Sequence, residues 1–144
     1  MNTFLLAWNP KRWVWQDLEA MRSRLNRGIE TGRLWSCRSS KVELGDRIFI
    51  IRLGCEPKGI FASGVVTQKT QGQHWDKEKS ELIPYVRVKF DKLLNPDTKN
   101  VKMLFLEELE KKDLQPMHWI TQMSGVQIPD SVASHLEEVW KHCS

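Results

Sequence analysis

GDRIFIIRLGCEPKGIFASGVVTQ (45–68) holds two apolar runs rich in β-branched and aromatic residues, 45–54 and 58–68, linked through CEPK. A Gly-Asp pair leads into the first run, and the link has the length of a hairpin connection, so the segment predicts two paired strands. Gly64 interrupts the second run and marks a bulge or a place where another backbone comes close.

Toward the N-terminus, TFLLAW (3–8) is apolar on both alternating faces, Phe4/Leu6/Trp8 and Leu5/Ala7, as in a strand buried on both sides. NPKR then breaks the strand. Val14, Leu18, Met21 and Leu25 recur at helical spacing, and Gly28 is placed to stop that helix. GRLWSCRSSK (32–41) has neither period and reads as loop. Beyond the hairpin, KTQGQHWDKEKSE (69–81) reads as a polar loop, and YVRVKFDKLL (85–94) alternates Val86/Val88/Phe90 with Arg87/Lys89 as a half-exposed strand. NPDTKN turns the chain, LEELEKKDL suggests a short helix, and PDSVASHLEEVW (129–140) places Val132, Leu136, Val139 and Trp140 on one helical face. Four or five mostly antiparallel strands with helices before and after them give an α+β fold, a small barrel or open sheet. No internal repeat or linker divides residues 1–144, which read as one domain.

The composition adds two biases. Residues 1–60 carry 11 Lys/Arg against 6 Asp/Glu, whereas residues 61–144 carry 11 against 12, and every arginine except Arg87 lies in the first part. The planar guanidinium fork suits phosphate, so an N-terminal basic face points to nucleic acid, with a merely solvated basic surface as the plainer alternative. Seven tryptophans accompany one tyrosine and five phenylalanines. Indole offers the widest stacking platform and the strongest cation–π face. Three widely spaced cysteines argue against a disulfide framework and for a reducing cytoplasm. No apolar run approaches the length of a membrane span, and no leader pattern is present.

Catalytic constellations are missing. There is no CxxC, HExxH or GxSxG, and His74, His118, His135 and His142 have no metal-like spacing with the cysteines. Glu107, Glu108 and Glu110 read as a solvated helix face, and Cys37 has no assignable base. The expectation is a binding protein rather than an enzyme, without metal or cofactor.

The order of segments is informative beyond these patterns: AWNPKRW, a helix, LWSCRSSK, GDRIFIIRLG joined to KGIFASGVV, HWDKE, YVRVKFDKLLNP and finally WITQMSGVQIP. This order resembles the EVE domain, a PUA-like fold related to the YTH readers of methylated RNA. It is most similar to the EVE modules fused to HNH nucleases in bacterial modification-dependent restriction systems. The likeness covers nearly the whole chain, although the HNH histidines are not in place, so a nuclease would be a separate domain or subunit.

The resemblance implies a PUA-like mixed or antiparallel β-barrel flanked by helices, holding a modified base in an aromatic cage. By position, Trp35 and Trp75 match the cage walls, and Asn9 matches a polar contact to the base edge. Ser36 and Cys37 would offer backbone groups. Trp119, with Gln122 and Ser124 nearby, is the choice for a third wall, and Trp13 is held in reserve. Lys11, Arg12, Arg33, Arg38 and Lys41 would neutralise phosphates. The implied partner is double-stranded DNA containing 5-methylcytosine or 5-hydroxymethylcytosine, read by base flipping. An RNA reader of modified adenine and a protein-interaction module with an aromatic groove are the alternatives.

The energetics are compatible with such a reader. Extruding a base costs a few kcal/mol, while stacking on aromatic walls returns roughly 1–3 kcal/mol per base. A buried methyl adds only about 0.8 kcal/mol, so sharper discrimination has to come from polar groups fitted to the base edge. Plainer roles fit several of these residues: Trp8 and Trp140 sit on apolar faces, Trp15 belongs at the start of the first helix, Gly45–Asp46 is a turn, and Asn9 before Pro10 fits an Asx-turn.

Overall fold

The computed structural model describes residues 1–76, 81–121 and 123–144, the side chains at 71–76, 81–83 and 112 excepted. Among the described residues the elements run β1 (Thr3–Trp8), α1 (Leu18–Asn26), β2 (Gly32–Ser36), β3 (Arg47–Arg52), β4 (Gly59–Asp76), β5 (Glu81–Leu93), β6 (Leu104–Phe105), α2 (Leu106–Leu109), β7 (Val126–Ile128) and α3 (Asp130–Trp140). A short 3-10 turn at Lys112–Leu114 follows α2.

The predicted hairpin is β3–β4, with Arg47 opposite Val65 and Arg52 opposite Gly59. It lies in the middle of one sheet ordered β2-β5-β4-β3-β1-β7, with β6 paired to β4. Only the β1–β3 pair is parallel among these ladders, so the fold is α+β with a mostly antiparallel sheet. Gly64 is the bulge foreseen from sequence: the register with β5 shifts there, and a Cβ would stand 2.3 Å from the Lys89 carbonyl oxygen.

Period-two alternation in the two central strands feeds separate cores on the two faces of the sheet. Phe4, Leu6, Trp8, Ile48 and Ile50 join Met21 of α1 and the Val86/Val88/Phe90 face of β5. Leu5, Phe49 and Ile51 join Leu109, Trp119 and the Val132/Leu136/Trp140 face of α3. Helix α1 ends as Gly28 predicts, since at φ +81° the Gly28 amide donates to Leu25 O and that of Ile29 to Arg24 O. Asp46 is buried and structural, its carboxylate accepting the amides of Asn2 and Glu43.

Three sequence expectations change. Helix α1 begins at Leu18, and Val14 is 72% exposed, because the Asn9 turn occupies the residues before it. The polar segment after 68 continues β4 as far as Asp76, paired to β5 in a two-stranded arm. Gly32–Ser36 forms β2 instead of a loop, with Trp35 opposite Val86 and Ser36 opposite Tyr85.

Because the sheet curls, the end of β2 comes beside the end of β1, although β5, β4 and β3 separate them in the strand order. No ladder joins these two strands among the described residues, so the expected barrel stays unclosed. Individual bonds bridge the seam instead. The Arg38 amide donates to Ser124 O at 2.9 Å, the Ala7 amide to Ser124 Oγ at 3.2 Å, and the Trp35 indole N–H to Ala7 O at 3.1 Å. Gly125, at φ +101°, permits this approach: a Cβ there would stand 2.6 Å from the Arg38 nitrogen and 2.8 Å from Cys37 Sγ.

Candidate functional site

A cleft of about 250 Å³ opens at the seam, lined by Ala7, Trp13, Arg33, Leu34, Trp35, Ser36 and Tyr85. Its floor is an aromatic cluster. Trp35 lies 5.1 Å from Trp13 and 5.3 Å from Trp15 between ring centroids, and Trp8 lies 5.8 Å from both Trp13 and Trp15. Trp8 also donates its indole N–H to the Trp13 carbonyl. Rings packed tilted or edge to face at these spacings hold one another in place, so the cleft is preformed.

The walls differ in what they offer. Trp35 is only 4% exposed and its N–H is committed to Ala7, so it presents a fixed strip of ring. Trp13 is half-buried and tilted 65° from Trp35. Two rings at that angle form no parallel sandwich; a planar group stacking on one would meet the other with its edge.

Strand geometry decides which backbone groups face the cleft. The Cys37 amide donates to Pro84 O, and hydrogen-bonded pairs alternate along an antiparallel ladder. Trp35/Val86 and Arg33/Val88 are therefore bonded pairs, and the N–H and C=O of Ser36 point away from β5 toward the seam. Of the two residues expected to present backbone groups, Ser36 has that orientation and Cys37 does not. Cys37 is fully buried beside Gly125, and burial pushes its thiol pKa up.

Two further expectations are corrected. Trp119 is 2% exposed, donates its N–H to Leu114 O and belongs to the core under α3, so it lies apart from the cleft lining and forms no third wall. Its apolar neighbours on α3 and the inward indole N–H bond explain the burial. Asn9 makes the Asx-turn: its Oδ1 accepts the Lys11 amide at 2.9 Å and its side chain packs on Gly54, outside the cleft lining. Ser124 acts at one remove, holding Ala7 through its hydroxyl.

The Trp75 side chain and all of Gln122 lie outside the described residues; the Trp75 backbone pairs with Leu82, three positions from Tyr85 on the β5 arm. Tyr85 was missed from sequence, although it is the single tyrosine of the chain. Trp13, the reserve residue, lines the cleft.

The five basic residues expected at phosphates differ in exposure and contacts. Lys11 and Arg12 are exposed on the turn that leads into Trp13, Lys41 is exposed after β2, and Arg38 is half-buried at the seam. Arg33 behaves differently, with its guanidinium carbon 5.0 Å from the Trp13 centroid and 5.3 Å from that of Trp15. Among the described residues, no cluster of three or more His, Cys, Asp or Glu is arranged to hold a metal ion, and no helix is long and apolar enough to cross a membrane.

Residues 2–139 match the family model of the EVE domain. No curated protein matches this sequence. In three dimensions the chain is similar to a hypothetical protein from Leishmania major, at 18% identity and TM-score 0.65, covering 98% of this chain and 95% of that one. It is similar to human THYN1, solved in complex with 5-methylcytosine-containing DNA, at 13% identity and TM-score 0.66, with both chains covered completely at 100%. A protein from Pseudomonas syringae matches at 15% identity and TM-score 0.63, over 95% of this chain and 98% of that one. At such identities the likeness concerns the fold.

Proposed function

Because this chain belongs to the EVE domain family, we propose that it reads DNA containing 5-methylcytosine or 5-hydroxymethylcytosine, taking the modified base out of the duplex into the seam cleft. The observation that carries this reading is the preformed cleft between Trp13 and Trp35, open where the sheet fails to close. Its volume of about 250 Å³ is below the roughly 300 Å³ of the smallest ordinary ligand pockets, which suits one flat group of base size. The fold-mate human THYN1, seen with 5-methylcytosine-containing DNA, supports the same choice of partner.

The base stacks on Trp13 or Tyr85 and meets the fixed edge of Trp35, while the outward N–H and C=O of Ser36 address its polar rim. Lys11, Arg12, Arg38 and Lys41 neutralise phosphates, giving affinity without sequence information. Trp75 and Gln122 remain proposed contacts to the base on the strength of the sequence resemblance. The role is recognition, and within a modification-dependent restriction system cleavage would come from a nuclease domain or subunit.

The test is binding to matched duplexes that differ only in the modified cytosine, with methylated RNA as competitor. Equal affinity for modified and unmodified duplexes sinks the reading. Preferential capture by methylated RNA would transfer it to the RNA alternative.

A further inference from the structure

Thymine carries the same 5-methyl group as 5-methylcytosine, so a cleft that felt only the methyl and the flat ring would accept both. The two bases differ along the Watson–Crick edge. Cytosine presents two neighbouring acceptors, N3 and O2, whereas thymine presents an N3–H donor. A donor aimed at N3 therefore discriminates, because a donor set against a donor leaves both unpaired, and a second donor to the shared O2 fixes the register.

Arg33 fits that need. It alternates with Leu34 along β2 and so projects from the same face as Trp35, toward Trp13 and Trp15. Its guanidinium carbon lies over both indoles, 5.0 Å and 5.3 Å from their centroids, and the residue borders the cleft. A guanidinium held by its face presents its N–H groups sideways, in a fork that matches two adjacent acceptors. Among the described residues its hydrogen-bond partner is Asp17 Oδ1 at 3.5 Å, and the Arg33 and Asp17 side chains are 34% and 56% exposed. Such a pair is weak and readily exchanged for a ligand.

Resting on the base-reading function above, we propose that Arg33 reads the edge of the captured base, donating to N3 and O2 of a modified cytosine and rejecting thymine, instead of binding phosphate. The charge is permanent, so this selection holds across the whole pH range in which DNA stays paired.

Binding of the full chain to three duplexes tests this: 5-methylcytosine opposite guanine, cytosine opposite guanine, and thymine mismatched with guanine. Each is titrated over a salt series with wild type, Arg33→Met and Arg33→Lys. The mismatched thymine is already easier to flip, which biases the comparison against the proposal. Wild type should prefer the 5-methylcytosine duplex to both others. Arg33→Met should lose about ten- to hundredfold of the preference over thymine with an unchanged salt slope. Arg33→Lys keeps the stem and the charge, safeguarding against misfolding, and should lose that preference too, because a point charge replaces the fork.

A phosphate contact predicts the opposite pattern. Arg33→Met would then weaken all three duplexes alike and flatten the salt slope by about 0.9, and lysine would substitute well; that result overturns the proposal. Wild type that prefers 5-methylcytosine to cytosine yet takes thymine equally leaves the base-reading function standing and removes Arg33 as its edge reader. Wild type indifferent to methylation removes both.

Discussion

The indole N–H of Trp35 donates to the carbonyl of Ala7 across 3.1 Å, joining two strands that share no ladder. Both polar backbone groups of Ala7 are thereby satisfied by side chains, the amide by Ser124 Oγ and the carbonyl by Trp35. Trp35→Phe isolates this bond. With the ring volume largely kept and the Ala7 carbonyl left unpaired, stability should fall by about 1–3 kcal/mol in denaturant titration. Binding should lose discrimination as the cleft wall shifts. A variant as stable and as selective as wild type would show that the seam bond is idle.

Trp13 and Trp119 make a contrasting pair. Trp13→Ala removes a half-buried cleft wall, so selectivity for the modified base should vanish while weak salt-sensitive binding persists. Trp119→Ala empties a site only 2% exposed in the core under α3, so stability should fall by about 3–5 kcal/mol while the folded fraction discriminates normally. The reverse pattern would move the site to the other face of the sheet.

Gly125→Ala should destabilise the protein by more than about 2 kcal/mol, since it combines a positive φ with a Cβ 2.6 Å from the Arg38 nitrogen. Thermal unfolding measures this, and a shift within error would mean that the seam accommodates the methyl by relaxing.

Cys37 should resist alkylation in the native protein. It is fully buried, and burial raises its thiol pKa above the ordinary value, so at neutral pH the reactive thiolate is scarcer than in a free cysteine. Its labelling should appear only on unfolding. Rapid modification of folded protein at this position, located by peptide mapping, would contradict the packing against Gly125.

Lys11→Ala and Arg12→Ala should weaken binding to modified and unmodified duplexes alike. Each loss of a phosphate contact lowers the slope of log affinity against log salt by about 0.9. Loss of selectivity in either variant would assign that side chain to the base instead.

Much of this was legible without coordinates. Apolarity of both faces in 3–8 determined a strand buried on both sides, the Gly-Asp-led 45–54 with 58–68 a hairpin, Gly28 a helix end, Gly64 a bulge, and the apolar stripe of 129–140 an amphipathic helix. These are local properties, expressed in spacing along the chain. β2 escaped because an edge strand reading Gly-Arg-Leu-Trp-Ser has no clean alternation: its polar Arg33 and apolar Trp35 share a face.

The site escaped for a related reason. Trp35 and Trp119 are both tryptophans near polar segments, and only packing separates one at the seam from one beneath α3. Which tryptophans, which tyrosine and which arginine meet depends on how far the sheet curls, which brings β2 to β1 across three intervening strands. The sequence by itself determined β1, the β3–β4 hairpin, most of β5 and the α3 helix, while β2, β6, β7 and the length of β4 were left to the tertiary structure. The curl alone decided where the barrel stays open, because that closure is a sum of small strand twists that no single segment encodes.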